Sequence, residues 1–233
     1  MNAGTSHSLA TLFAMVLLLS SCQSLSSSAP GITDRMVLPQ LNPCQPVACW
    51  QGVSLDAMRP ESVEALTRQI PGFENAELTR TWSRDNYNEY GWSGPTRSIF
   101  VTFRDDRGFI VSQLTYKVEL KHIIQRFGNP SHVGVSNNYA LGRYTANANV
   151  VFASQGLILL AAEEQVRDNT LNVSPDMRII GYILTKSDNL RGIVEAMRLA
   201  ARNPPKDTQY VDKYVAKAQP WHGYGEYRVD SPD

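Results

Sequence analysis

The sequence lacks a surplus of either charge: 22 Lys and Arg stand against 22 Asp and Glu in 233 residues. Without a basic excess nothing neutralises a run of phosphates, so nucleic acid is excluded as a partner. It also lacks a long hydrophobic run. The longest, Leu9 to Leu19, is eleven residues (LATLFAMVLLL), against the roughly 20 that a membrane-crossing helix needs. Nucleotide-binding glycine loops of the G-x-x-x-x-G-K-[ST] or G-x-G-x-x-G kind are missing, as are the G-x-S-x-G and H-E-x-x-H signatures. Histidine and cysteine are scarce, with four and three residues. What is plentiful is apolar content, 42%, enough for a buried core and too much for wholesale disorder.

The short apolar run fits the h-region of a signal peptide. It leads into Leu19-Ser20-Ser21-Cys22, a large aliphatic residue three places before a cysteine with two small residues between. This resembles the bacterial lipobox, which implies a signal peptide over 1–21 and a diacylglycerol on the Cys22 thiol. The segment before the run, Met1 to Ser8, carries no Lys or Arg, unlike the usual basic n-region. The Ser-rich stretch after Cys22 suits a flexible tether, so 22–48 is expected to be a lipid-anchored linker. The expected location is a cell membrane, on its extracytoplasmic side, with the membrane itself as partner through the acyl chains. Disulfides persist there, and Cys44 and Cys49 remain as an even pair in PCQPVACW. A metal site needs further Cys or His at ligand spacing, and His122, His132 and His222 are far apart. A disulfide is expected, worth about 2 kcal/mol on a loop-entropy argument, with no metal and no cofactor.

The globular domain is expected over 49–205. Pro60 to Ile70 reads as a helix with Val63, Leu66 and Ile70 on one face. A strand follows at 76–84, then a polar loop from Arg84 to Pro95. Ser98 to Phe103 and Phe109 to Val118 flank Asp105-Asp106-Arg107-Gly108, a hairpin pattern. Leu120, Ile123, Ile124 and Phe127 make the clearest helical stripe, stopped by Gly128-Asn129-Pro130. Short strands are predicted at 132–135, 139–145, 148–154, 157–162 and 177–185. A third helix, capped by Ser187, carries Leu190, Ile193, Val194 and Met197. The fold class predicted is α+β: a mostly antiparallel sheet with about three helices packed on one face. Residues 206–233 read as an irregular aromatic-rich tail.

Chemistry-bearing clusters are few. Glu163, Glu164 and Asp168 lack the alternating oxygen ligands and central glycine of a calcium loop and read as a solvated loop. Trp82, Tyr87, Tyr90 and Trp92 lie among amides and carboxylates between positions 82 and 92. Flat apolar faces beside directional polar groups are what a sugar- or peptide-binding surface needs. The reading is a non-catalytic binding domain whose partner is an envelope protein or glycan. The alternative is an envelope glycan-binding module or weak hydrolase using the 82–92 loop.

Two further segments carry a family resemblance. Cys49-Trp50-Gln51-Gly52-Val53 opens the domain, and Val118 to Phe127 runs into Gly128-Asn129-Pro130 and Val133. This order resembles a group of uncharacterised bacterial lipoproteins built as tether, opening motif, helix, meander and a helix ending in G-x-P. The helix with G-x-P is also similar to that of the small SmpA/OmlA-type outer-membrane-assembly lipoproteins and of β-lactamase-inhibitor-like repeats. The resemblance implies a helix-on-antiparallel-sheet module used for protein contacts.

Overall fold

A 13-residue strand on one side of a hairpin and a run of tight polar turns build a meander, and the computed structural model is dominated by one antiparallel sheet. The structure describes residues 41, 42, 44, 49–94, 98–140, 143–201 and 209–229. The expected signal peptide, Cys22 and most of the expected linker lie outside the described residues. Strands β1 (Leu41–Asn42) and β2 (Cys49–Trp50) pair with each other. The chain then forms β3 (Glu77–Arg84), β4 (Tyr87–Ser93), β5 (Ser98–Arg104), β6 (Arg107–Glu119), β7 (His132–Ala140), β8 (Arg143–Phe152) and β9 (Leu157–Ala161). Next come β10 (Glu164–Gln165), β11 (Thr170–Val173), β12 (Arg178–Thr185), β13 (Gln219–Pro220) and β14 (Gly225–Arg228). The large sheet has ten strands in the order β13-β7-β8-β9-β12-β6-β5-β4-β3, with β10 beside β8, while β11 and β14 form a separate pair.

The turns explain the meander. Asp105 and Asp106 both have positive φ, 51° and 58°, between β5 and β6, the type I′ geometry that matches strand twist. Strand period 2 then fixes which side chains meet. Trp92, Ile99, Gln113, Tyr182, Leu159, Val150 and Val133 are successive register partners across seven strands, and all seven are buried. Apolar side chains of this size contribute roughly 1.5–3 kcal/mol each when fully buried.

Helix α1 (Pro60–Arg68) starts with proline at its first position, and the Ser62 hydroxyl both accepts from the Arg59 N–H and donates to the Arg59 carbonyl. Helix α2 (Leu120–Phe127) ends at Gly128, φ 80°. Val63 of α1 and Leu120 and Ile123 of α2 join the main core with Trp50 and Phe73. Helices α3 (Leu190–Ala200) and α4 (Tyr210–Lys217) bury Ile193, Val194 and Val211 against Val151 and Ile158, which point to the opposite face. The α+β class with an antiparallel sheet is as expected. The helices, expected on one face, divide between two.

Several local expectations are corrected. The Arg84–Pro95 loop is mostly strand β4, because Asp85, φ 51°, and Asn86 close a tight hairpin in which Arg84 pairs with Tyr87. The strands expected at 132–135, 139–145 and 148–154 are two long ones, β7 and β8. The cap of α3 is Asn189, whose side-chain oxygen accepts from the Gly192 N–H at 2.9 Å, while Ser187 supports it by accepting from the Asn189 N–H. The tail is ordered over 209–229: it supplies α4, β13 and β14. Leu41, inside the expected linker, is fully buried, so the core begins before position 49.

Candidate functional site

The opening motif is structural. Gln51, φ 52°, and Gly52, φ 75°, form a two-residue turn that bonds Trp50 and Val53 to each other through both backbone N–H groups. Trp50 is thereby driven into the core, where its Nε1–H donates to the Tyr182 hydroxyl at 3.0 Å, and that hydroxyl donates to Gln113 Oε1 at 2.7 Å. Cys44 and Cys49 are joined in a disulfide with Cα atoms 5.5 Å apart.

The four aromatic candidates do not form one platform. Trp92 is 1% exposed and belongs to the core, and Tyr90 packs edge-on to Phe103 on the same face, centroids 5.7 Å apart. Tyr87, also buried, lies edge-on to Phe109 at 5.5 Å. The Arg84 guanidinium sits 5.8 Å from the Trp82 ring and 5.9 Å from the Tyr87 ring, and Arg104 sits 5.7 Å from Tyr87. Arg84 also donates to the Leu199 carbonyl at 2.8 Å and the Ala201 carbonyl at 3.4 Å, so it satisfies the end of α3. Glu89, between the rings, accepts from the Thr81 and Thr102 hydroxyls. The polar groups of this hairpin are spent within the fold.

The histidines are dispersed. His222 stacks on Tyr227 at 4.3 Å, and the Tyr227 hydroxyl accepts from the His222 N–H and donates to the Gly223 carbonyl. Among the described residues, no group of three or more His, Cys, Asp or Glu is placed to hold a metal ion.

A different arrangement appears where β10 leaves the main sheet. Glu164 and Gln165 pair with Ala146 and Thr145 of β8. Asp168, φ 48°, and Asn169, φ 57°, then reverse the chain, with Arg167 and Thr170 bonded to each other through both backbone N–H groups. The Asn169 carbonyl accepts from the Val229 N–H, which ties the turn to the end of the chain. Strand β11 follows, and alternation sends Leu171 and Val173 into the core while Asn172 stays outside, directly opposite Glu226 of β14. The angle between β10 and the β11–β14 pair is a cleft of about 520 Å³, within the range of small-molecule sites. Leu171 and Met177 lie behind it in the core, 1% and 3% exposed. Around the opening stand Glu164, Gln165, Arg167, Asn172, Ser174 and Glu226. Among the described residues, none of these six side chains is engaged in a hydrogen bond or ion pair.

A second cleft, about 280 Å³, lies beside α3 and is floored by Phe109, Ala196 and Leu199, with Arg104 and Lys186 at its rim. Its charges are already matched. Lys186 Nζ is 2.6 Å from Asp56 Oδ1, and Glu195 receives both nitrogens of the Arg198 fork, at 2.9 and 2.6 Å. Those hydrogen bonds hold the Glu195 carboxyl below its ordinary range.

Sequence reasoning singled out Glu164 and Asp168 only as a solvated loop and did not bring in Asn172 or Glu226. The signal was present in Asp168-Asn169, a pair that favours left-handed turns, and in the alternation of Leu171 and Val173. The pairing with Glu226, 54 positions after Asn172, has no local signature. No protein-family model matches this chain, and no curated protein and no solved structure shows significant similarity to it.

Proposed function

We propose that this chain is an extracytoplasmic lipoprotein: residues 1–21 direct export, Cys22 is acylated, and a tether holds a non-catalytic binding domain at the membrane. The observation that carries this reading is the succession of an eleven-residue apolar run and Leu19-Ser20-Ser21-Cys22. The Cys44–Cys49 disulfide supports it, because such bonds persist in oxidising compartments. Membership in the lipoprotein group that shares the Cys49–Val53 opening and the helix ending at Gly128-Asn129-Pro130 is proposed on the same footing. The balanced charge of residues 22–233, 22 of each sign, adds no attraction to an anionic surface, which leaves attachment to the acyl chains.

The test is metabolic labelling of the producing cells with an alkyne fatty acid. Wild-type protein takes up the label and fractionates with membranes, whereas Cys22→Ala does neither. Equal labelling of the two proteins retires the anchor.

A further inference from the structure

The large sheet ends in two unlike edges. On one side the outermost strand is β13, two residues long and closed by Pro220, which offers an incoming strand almost no backbone to pair with. On the other side it is β3, eight residues long, bonded to β4 and, among the described residues, to no second strand. Edge strands are commonly blunted by lysine, proline or a bulge. β3 contains neither lysine nor proline. Its bulge falls between Arg80 and Trp82, which leaves Glu77 to Arg80 in unbroken register with β4. Leu78 stands inside that regular stretch as the register partner of Trp92. It therefore extends by one strand the buried row that runs from Trp92 to Val133. Trp92 is 1% exposed and Leu78 41%, so the core row reaches the rim of the sheet and stops with a large apolar side chain partly in water. The open backbone selects the class of occupant: an extended polypeptide segment, held by main-chain bonds, with an apolar residue opposite Leu78.

The first half of β3 is itself such a segment. We infer that it pairs with β3 of a second copy of this chain, antiparallel, about a twofold axis at Leu78. Side chains alternate between faces, so a twofold perpendicular to the sheet keeps each face continuous only where a residue meets its own copy. An axis at Glu77 or at Arg80 sets like charges opposite each other, and one at Thr79 sets Leu78 against an arginine. An axis at Leu78 brings the two leucines together, with Glu77 opposite the partner's Thr79. Antiparallel pairing also lays the acidic end of one stretch beside the basic end of the other. The core row then runs without a break from one molecule into the next. A few residue pairs make an interface well below that of a stable complex, so the dimer is weak, with a Kd of about 100 µM.

The experiment uses the full chain carrying Cys22→Ala, which removes the proposed acyl site together with a stray thiol, so its result stands whether or not the chain is anchored. Sedimentation equilibrium up to about 1 mM protein is expected to show a monomer–dimer equilibrium. Leu78→Lys should weaken it about tenfold or more, because a lysine on an edge strand resists pairing. The axis is read from disulfides formed under mild oxidation, which need Cα atoms within about 7 Å. Leu78→Cys is expected to link to its own copy. Glu77→Cys and Thr79→Cys are expected to link to each other when mixed, and neither to itself. Matching circular dichroism spectra of the variants exclude misfolding as the cause. A monomer at every concentration overturns the inference and leaves the edge to a strand from a different protein. A dimer that Leu78→Lys leaves within twofold of its strength overturns it by placing the contact elsewhere. Self-linking of Glu77→Cys or Thr79→Cys in place of Leu78→Cys overturns the axis and with it the continuous core row.

Discussion

The 82–92 hairpin and the 164–177 cleft have similar ingredients and opposite fates. Both combine apolar residues with Glu, Asn and Arg. In the hairpin, Arg84 reaches two carbonyls at the end of α3, Glu89 takes two hydroxyls, and Trp92 is core. In the cleft, six polar side chains stand around the opening and bond to nothing in the fold. Local richness in aromatics marks the packing site, and the lack of internal partners marks the candidate binding site. A residue employed in holding the fold together cannot be rearranged around a ligand without loss of stability.

The contrast can be broken first at Trp92. Trp92→Ala empties a fully buried ring position and should cost about 3–5 kcal/mol, read as a lower denaturant midpoint at unchanged slope. A loss below about 1 kcal/mol would return this ring to the surface and to candidacy as a ligand platform.

Next comes Tyr214 of α4, which tests whether the second face is as firmly packed as the first. Its hydroxyl lies over Gly134, where a Cβ would approach it to 2.8 Å, with the Asn149 side chain beside it. Burial pushes this phenol from 10.0 up to about 12. A group with a raised folded-state pKa stabilises the fold fully below its unfolded value and loses that contribution as pH rises through the folded one. Stability should therefore fall between about pH 10 and 12, by about 3 kcal/mol for a shift of this size. Tyr214→Phe should flatten that part of the pH–stability curve, followed by thermal melting at fixed ionic strength. Identical slopes in wild type and variant would show that the phenol is not buried.

Arg84→Ala ranks below these. It leaves the carbonyls of Leu199 and Ala201 without their donor and removes the cation from two rings, for a loss of about 1–2 kcal/mol. Hydrogen exchange should quicken first in the last turn of α3. The smallest effect is expected in the cleft itself: Asn172→Ala and Glu226→Gln together should shift stability by less than about 0.5 kcal/mol. A larger loss would mean that the cleft, too, serves the fold.

What could be read from the sequence follows the range of the interactions responsible. Helices α1 and α2 stand where the spacing of Val63 and Leu66 and of Leu120, Ile123 and Phe127 put them, because one buried stripe and one terminator decide a helix locally. The β5–β6 hairpin was equally legible from its Asp105-Asp106 turn. Strand β4 was missed because Asn88, Glu89 and Gly91 look like loop residues, and only pairing with β5 on one side and β3 on the other makes them strand. The tail has no local signature for the same reason: Tyr227 is fully buried because β14 pairs with β11, a contact between residues more than 50 positions apart. The division of the helices between two faces is likewise a property of the assembled sheet. For the candidate site, Glu164 and Asp168 drew notice by charge, yet the cleft exists only once β10, β11 and β14 are set at an angle.

The Cys44–Cys49 bond also governs how the domain would bear load. Tension applied from the N-terminal side would first meet buried Leu41, the register partner of Trp50, and only then the sulfur bridge from Cys44 to Cys49. The four residues between the cysteines are bypassed, which withholds about 12 Å of slack, the roughly 17 Å of five extended residue steps less the 5.5 Å the bridge already spans. Once β1 had parted from β2, force would fall on the ring of Trp50 and its bond to Tyr182. With the bond reduced, a pull that had parted β1 from β2 would next extend the chain between Cys44 and Cys49. The disulfide stiffens the entry to the domain, so that, on the anchored reading, a pull on the tether would move the domain before it began to unravel it.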